Sequence, residues 1–184
     1  GSVTMNGGYN ATNVAVPRID FDYDVKELDI EQTVAYVDMV KKMAPIAKTC
    51  KGKFSTTLAM EGTLDEHMEL VMSTLTGEGT LKTNNVQVDG FQPLVDLAKA
   101  LKIKQIENTT LQDVTFSYRF TEGKMVTDPF DVKIDRVKAN VGGSTAFADQ
   151  AIDYDMKAKV PTDIFGAGAT QAVSGLLGKA GGAV

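Results

Sequence analysis

Little in this sequence can carry out covalent or metal chemistry. Its 184 residues contain one cysteine, one histidine and no tryptophan. The lone thiol, Cys50, excludes an intrachain disulfide and a thiolate zinc cluster. The lone imidazole, His67, excludes a histidine metal triad, and any Ser–His–Asp arrangement would depend on it alone. His67 stands in a polar run, Leu64–Asp65–Glu66–His67–Met68, so Cys50 reads as a small apolar or surface residue and not as a nucleophile with a base. No apolar run approaches the ~20 residues of a spanning helix. Gly1–Ser2 opens no charged region followed by an apolar stretch, so no signal peptide is expected. The chain reads as a piece of a longer protein, with Gly1 a cloning scar.

Clustered positive charge is also lacking. Lys and Arg number 19 against 24 acids, a net charge of −5. Phosphate backbones and anionic membrane surfaces both demand the opposite balance, so nucleic acid is not an expected partner. There is no phosphate-binding loop of the Walker type. Gly77–Glu78–Gly79 and Gly166–Ala167–Gly168 are fragments of a dinucleotide fingerprint without its third glycine or its βαβ setting. Asp20, Asp22 and Asp24 suggest calcium at first. On a strand, however, alternate residues point to one face about 7 Å apart and cannot converge on an ion, so they read as a solvated face. The Asn-X-Thr sequons at Asn10 and Asn108 matter only in a eukaryotic secretory setting. No catalytic residue, metal or cofactor is expected.

What the sequence has is alternation. Hydrophobic content of 43% and charge of 23% are globular values. The clearest strand is Arg18–Lys26, with Ile19, Phe21, Tyr23 and Val25 on one face and charges on the other. Phe54, Thr56, Leu58 and Met60 repeat the pattern. Val114, Phe116, Tyr118 and Phe120 follow, then Phe130, Val132 and Ile134, and last Ile152, Tyr154, Met156, Ala158 and Val160. The parity of the apolar positions slips near Asn84–Asn85 and near Arg136, and each slip predicts a bulge or bend. Thr121–Glu122–Gly123–Lys124 reads as a hairpin loop, and Asp128–Pro129 as an interruption of the next strand.

Two helices are expected. Asp29 caps the first, whose stripe is Ile30, Val34, Val37, Val40 and Ala44 before Pro45. The second runs from Pro93 to Leu101, with Phe91, Leu94, Leu97, Ala98 and Leu101 on one side. Both suit covering a sheet better than binding a membrane. The Gly- and Ala-rich tail, 166–184, predicts a weak helix through Ala172, Val173, Leu176 and Leu177. The fold class expected is mainly β (α+β): a curved, mostly antiparallel sheet, groove-like or half-barrel-like, with two short amphipathic helices.

From Lys51 onward the chain resembles the C-terminal region of the bacterial AsmA family. The stretches that carry the resemblance are Gly52–Lys53–Phe54, Met60–Glu61–Gly62–Thr63–Leu64, and Ser73–Thr74–Leu75–Thr76–Gly77–Glu78–Gly79–Thr80–Leu81. The helix Phe91–Gln92–Pro93–Leu94–Val95–Asp96–Leu97–Ala98 follows, then Phe116 to Gly123, Pro129–Phe130, Gly142–Gly143, Ile152–Asp153–Tyr154 and Val160–Pro161. Residues 1–50 fit more loosely, and 1–184 reads as a single AsmA-like segment. The resemblance implies a periplasmic segment of a parent anchored in the inner membrane, acting in outer-membrane biogenesis. It also implies a β-groove that carries phospholipid acyl chains, with no catalytic motif to transfer. The side chains expected to touch lipid are Phe21, Tyr23, Phe54, Leu58, Met60, Val114, Phe116, Tyr118, Phe120, Ile134, Ile152, Tyr154 and Met156. Expected partners are phospholipid and the remainder of the parent protein. The alternative is a structural or assembly factor that binds envelope proteins through the sheet face or edge.

Overall fold

The computed structural model describes residues 1–101, 107–134, 136–159 and 161, apart from the side chains of Lys42, Pro93, Leu97, Ala100 and Leu101. The strands are β1 (Ser2–Asn10), β2 (Arg18–Asp29), β3 (Cys50–Thr63), β4 (Thr76–Asp89), β5 (Asn108–Leu111), β6 (Thr115–Thr121), β7 (Lys124–Ile134), β8 (Val137–Ala146) and β9 (Ile152–Lys159). They form one antiparallel sheet in the order β1-β2-β3-β4-β6-β7-β8-β9, with β5 pairing the far end of β4. The described protein is mostly antiparallel strand with few short helices, and the sheet does not close into a barrel.

The period-two patterns become strands because one parity is apolar and the other polar, so pairing them in register gives a two-sided sheet. β2 shows this directly: Asp20 and Asp22 are exposed, while Val25 is 8% exposed. The slip near Asn84–Asn85 is a bulge in the β3–β4 ladder, between Lys51 and Lys53, with Asn85 at φ 52°. The interruption at Asp128–Pro129 is a second register shift, in the β7–β8 ladder between Thr127 and Phe130. Near Arg136, by contrast, the parity changes because the chain reverses. β7 ends at Ile134, which pairs with Val137 at the start of β8. Glu122 and Gly123, both at positive φ, join β6 to β7 in the two-residue turn the sequence indicates.

The first helical segment starts where expected. Asp29 caps it, accepting the Gln32 N–H at 2.9 Å. It is not one helix, though, but α1 (Ile30–Tyr36), α2 (Asp38–Met43) and a 3-10 turn, Pro45–Thr49. Val37 lies between the helices in an extended conformation, following the β-branched Thr33 and Val34, which hold helices poorly. The break rotates α2, so Met43 is buried and Val37 is 42% exposed, against the single stripe the sequence suggested. α3 spans Gln92–Leu101 and buries Leu94 and Ala98. The expected contributions of Leu97 and Leu101, the end of the last strand at Val160, and the tail helix fall outside the described residues. β1 and β5 are additions to the strands that the alternation marks.

All three helices lie on the apolar side of the sheet, where the core divides into two clusters. One is aliphatic and joins Ile30, Leu94 and Ala98 to Val86, Val88, Val114, Val132, Ile134, Val137 and Ala139. The other joins Met43, Met60, Leu75, Tyr118, Phe120 and Phe147, with Phe21, Tyr23, Met39, Met72 and Met125 packed around it.

Candidate functional site: the apolar sheet face

Residues directly opposite each other in antiparallel strands share a face, so the pairing register can be read as rows running across the sheet. One row is Gly7–Phe21–Met60–Gly77–Phe120–Met125–Thr145–Ile152. The next is Met5–Tyr23–Leu58–Gly79–Tyr118–Thr127–Gly143–Tyr154. Both cross from β1 to β9 without a charged residue. Aromatic rings fill the space that glycines leave in neighbouring strands. A Cβ on Gly79 would lie 2.6 Å from Tyr118 Cζ, and one on Gly143 2.8 Å from Tyr154 Cγ. Phe116 stacks on Phe130 with centroids 4.8 Å apart, just where the β6–β7 ladder has ended at Tyr118 and Thr127.

Two tyrosine hydroxyls on this face find partners within it. The Tyr118 and Thr56 hydroxyls lie 2.9 Å apart, and so do those of Tyr154 and Thr127. Burial pushes the Tyr118 phenol above its usual value, and the bond to Thr56 partly opposes this. Burial raises Tyr23 in the same direction.

The thirteen side chains singled out from the sequence all lie on this side of the sheet, but they are not equally accessible. Met60, Val114, Tyr118, Phe120 and Ile134 are buried in the two clusters, beneath α1–α3 and the chain around Leu75 and Phe147. Phe21, Tyr23, Phe54, Leu58, Phe116, Tyr154 and Met156 are half-buried, and Ile152 is 47% exposed. On this face of the sheet the most open apolar surface lies in β1, outside the thirteen. Val3, Met5 and Tyr9 of β1 are 54%, 55% and 56% exposed, beside Ile19, Phe21 and Tyr23 of β2. Their alternation is visible in the sequence, but Gly7 interrupts it.

The opposite face is charged. Two depressions of about 370 and 350 Å³ lie there, one lined by Arg119, Lys124, Asp128, Asp153 and Asp155, the other by Asp20, Asp22, Glu61 and Glu78. Among the described residues no group of three His, Cys, Asp or Glu is placed to hold a metal. Arg119 pairs with Asp128, and Lys26 with Asp24 at 3.1 Å, all at the exposed surface. Cys50 and His67 lie beyond opposite ends of the central part of β3, so they cannot act together. Cys50 packs against the aliphatic cluster, where burial pushes its thiol up to about 11. His67 sits in an exposed loop held by Asp65, which accepts the His67 and Glu69 N–H groups at 2.8 and 2.9 Å. The Glu69 bond is the larger reason the Asp65 carboxyl is held below its usual value.

Comparison with protein-family models, with curated proteins and with solved structures returns no match.

Proposed function

We propose that this chain is a non-catalytic segment of an AsmA-like envelope protein, and that it binds phospholipid acyl chains along the apolar face of a curved, groove-like sheet. The observation that carries the reading is the pair of apolar rows that cross all the main strands and reach solvent at β1 and β2. A segment of a longer trough needs such a face, continuous to its margin and free of charge.

The binding site is the margin rather than the filled centre. An acyl chain would lie against Val3, Met5, Tyr9, Phe21 and Tyr23, with Leu58 beneath and the methionines of α2 alongside. Methionine suits this position because its unbranched, polarisable side chain adapts to a ligand of no fixed shape. Each buried CH₂ contributes roughly 0.8 kcal/mol and no contact is directional, so a chain is held yet can slide. The head group stays in water. In the parent protein the segment would work in the periplasm during outer-membrane biogenesis.

Native mass spectrometry after exposure to mixed phospholipid vesicles tests this. Adducts of phospholipid mass should appear and should be largely lost in Val3→Asp and Met5→Asp, both at positions more than half exposed. A folded protein that retains no lipid, or one whose adducts ignore both substitutions, would remove the reading.

A further inference from the structure

The sheet has two edges, and only one is protected. An unpaired strand edge offers a row of free N–H and C=O groups to any other strand, and natural proteins guard such edges with charge, proline or bulges. β9 is guarded, with Asp153, Asp155, Lys157 and Lys159 among its eight residues. β1 is not. Its nine residues, Ser2–Asn10, include no charge and no proline, and all nine pair with β2 without a register shift.

Just past the centre of β1 stand Gly7 and Gly8, and there β2 reaches across the edge strand on both faces. On the apolar face the Phe21 ring occupies the space a Gly7 side chain would need. On the polar face the Asp20 carboxylate lies over Gly8, its Oδ1 2.6 Å from where a Cβ would stand. Asp22 is the next residue on that face, opposite Asn6. Neither Asp20 nor Asp22 has a cationic partner among the described residues, whereas Asp24 is paired with Lys26.

Among the described residues β1 pairs with β2 alone, so a strand added beside it would meet free backbone groups, an aromatic ring on one face and carboxylates on the other. We propose that the free edge of β1 receives an extended segment of a partner polypeptide in which apolar and basic residues alternate, adding it as a tenth strand. Its apolar side chains continue the row of Val3, Met5 and Tyr9, and its Lys or Arg side chains reach over Gly8 and Asn6 to Asp20 and Asp22. A second copy of this chain fits less well. Joining two β1 edges would bring two aspartate rows towards each other and supply no base between them. This inference rests on the edge alone and stands or falls separately from acyl-chain binding.

The test is fluorescence anisotropy with two labelled nine-residue peptides, one alternating Val and Lys and one alternating Val and Glu, titrated into the full chain. The Val/Lys peptide should bind at least ten-fold more tightly, with a preference that shrinks as salt is raised. It should also protect the β1 amides from hydrogen exchange. The double variant Asp20→Asn/Asp22→Asn should lose most of that preference, and Asn6→Lys should weaken Val/Lys binding at least ten-fold. The control Asp153→Asn/Asp155→Asn removes the same charge from the other edge and should change nothing. Equal affinity for the two peptides, loss of preference in the control, or protection at β9 would overturn the proposal. So would a dimer of the chain alone that Asn6→Lys dissolves, since the edge would then belong to a second copy.

Discussion

The two ends of the apolar face are built from different side chains. Beneath α1 and α3 the buried residues are all aliphatic, dominated by Val86, Val88, Val114, Val132, Ile134 and Val137, with Phe54, Phe91, Phe116 and Phe130 packed at their margin. β-Branched side chains have few rotamers and pack densely, so this end has one arrangement. At the other end Met43 and Met60 sit among Tyr118, Phe120 and Phe147, with Met39, Met72 and Met125 around them. Flexible thioethers against flat rings can repack at low cost. The stiff end holds the sheet together, and the adaptable end is the one that continues into the open surface of β1 and β2. A sheet can thus keep one fixed core and one accommodating core on the same face.

The largest test of that contrast is truncation at the stiff end. Ile134 is 3% exposed, and Ile134→Ala should cost about 2–5 kcal/mol in denaturant unfolding while leaving lipid retention by the folded fraction unchanged. At the adaptable end, the half-buried Met39→Leu should cost less than about 1.5 kcal/mol and instead alter which phospholipids are retained. If the costs were reversed, the assignment of stiff and adaptable ends would be wrong.

Alkaline titration separates the ends by a smaller effect. Cys50 packs at the aliphatic end and its thiol is raised from 9.0 to about 11, while Tyr23 and Tyr118 at the other end are raised from 10.0. In each case the fold favours the neutral form. Their contribution to stability is therefore complete below the unfolded values and is lost as pH rises through the folded ones. Stability should begin to fall near pH 9, from Cys50, and fall further above pH 10 as the tyrosines join. Urea midpoints measured from pH 8 to 11 should show both parts, with Cys50→Ala removing the first and Tyr118→Phe reducing the second. A midpoint independent of pH across that range would refute the burial of these groups.

The smallest effect concerns Thr83, whose hydroxyl is buried without a hydrogen-bond partner among the described residues. Thr83→Val keeps the shape and removes the unpaired group, so it should be neutral or stabilising by about 1 kcal/mol. A clear loss of stability would mean that the hydroxyl has a partner in solution.

Much of this architecture is legible in the sequence because a sheet with one buried face writes itself as alternation. β2, β3, β6 and β9 stand out for that reason, and the bulge near Asn84–Asn85 follows from a change of parity. The broken helix was less legible, since Ile30 to Ala44 fits a single stripe and the break depends on where Met39 and Met43 find room. β1 was hidden because Gly7–Gly8, just past its centre, carries no pattern. That gap mattered most for the candidate site. The thirteen apolar residues share a face, as the alternation suggested, but alternation says nothing about what lies on top of them. Burial of Met60 and Phe120 under α2 and the Leu75 region is set by long-range packing. Exposure of Val3 and Met5 is likewise set by their place at the end of the sheet.

Along the main path of the sheet, each strand pairs with its neighbour in the chain, and β5 is the single branch, borrowing the far end of β4. Most pairings in such a meander therefore join strands close in the chain, the kind of contact that forms quickly on folding. The meander also leaves the number of strands unfixed. A closed barrel that loses or gains two strands must change its tilt and stagger throughout. This open sheet could be lengthened or shortened by a hairpin at β9 with little change at β1, which gives descent a simple way to vary its length.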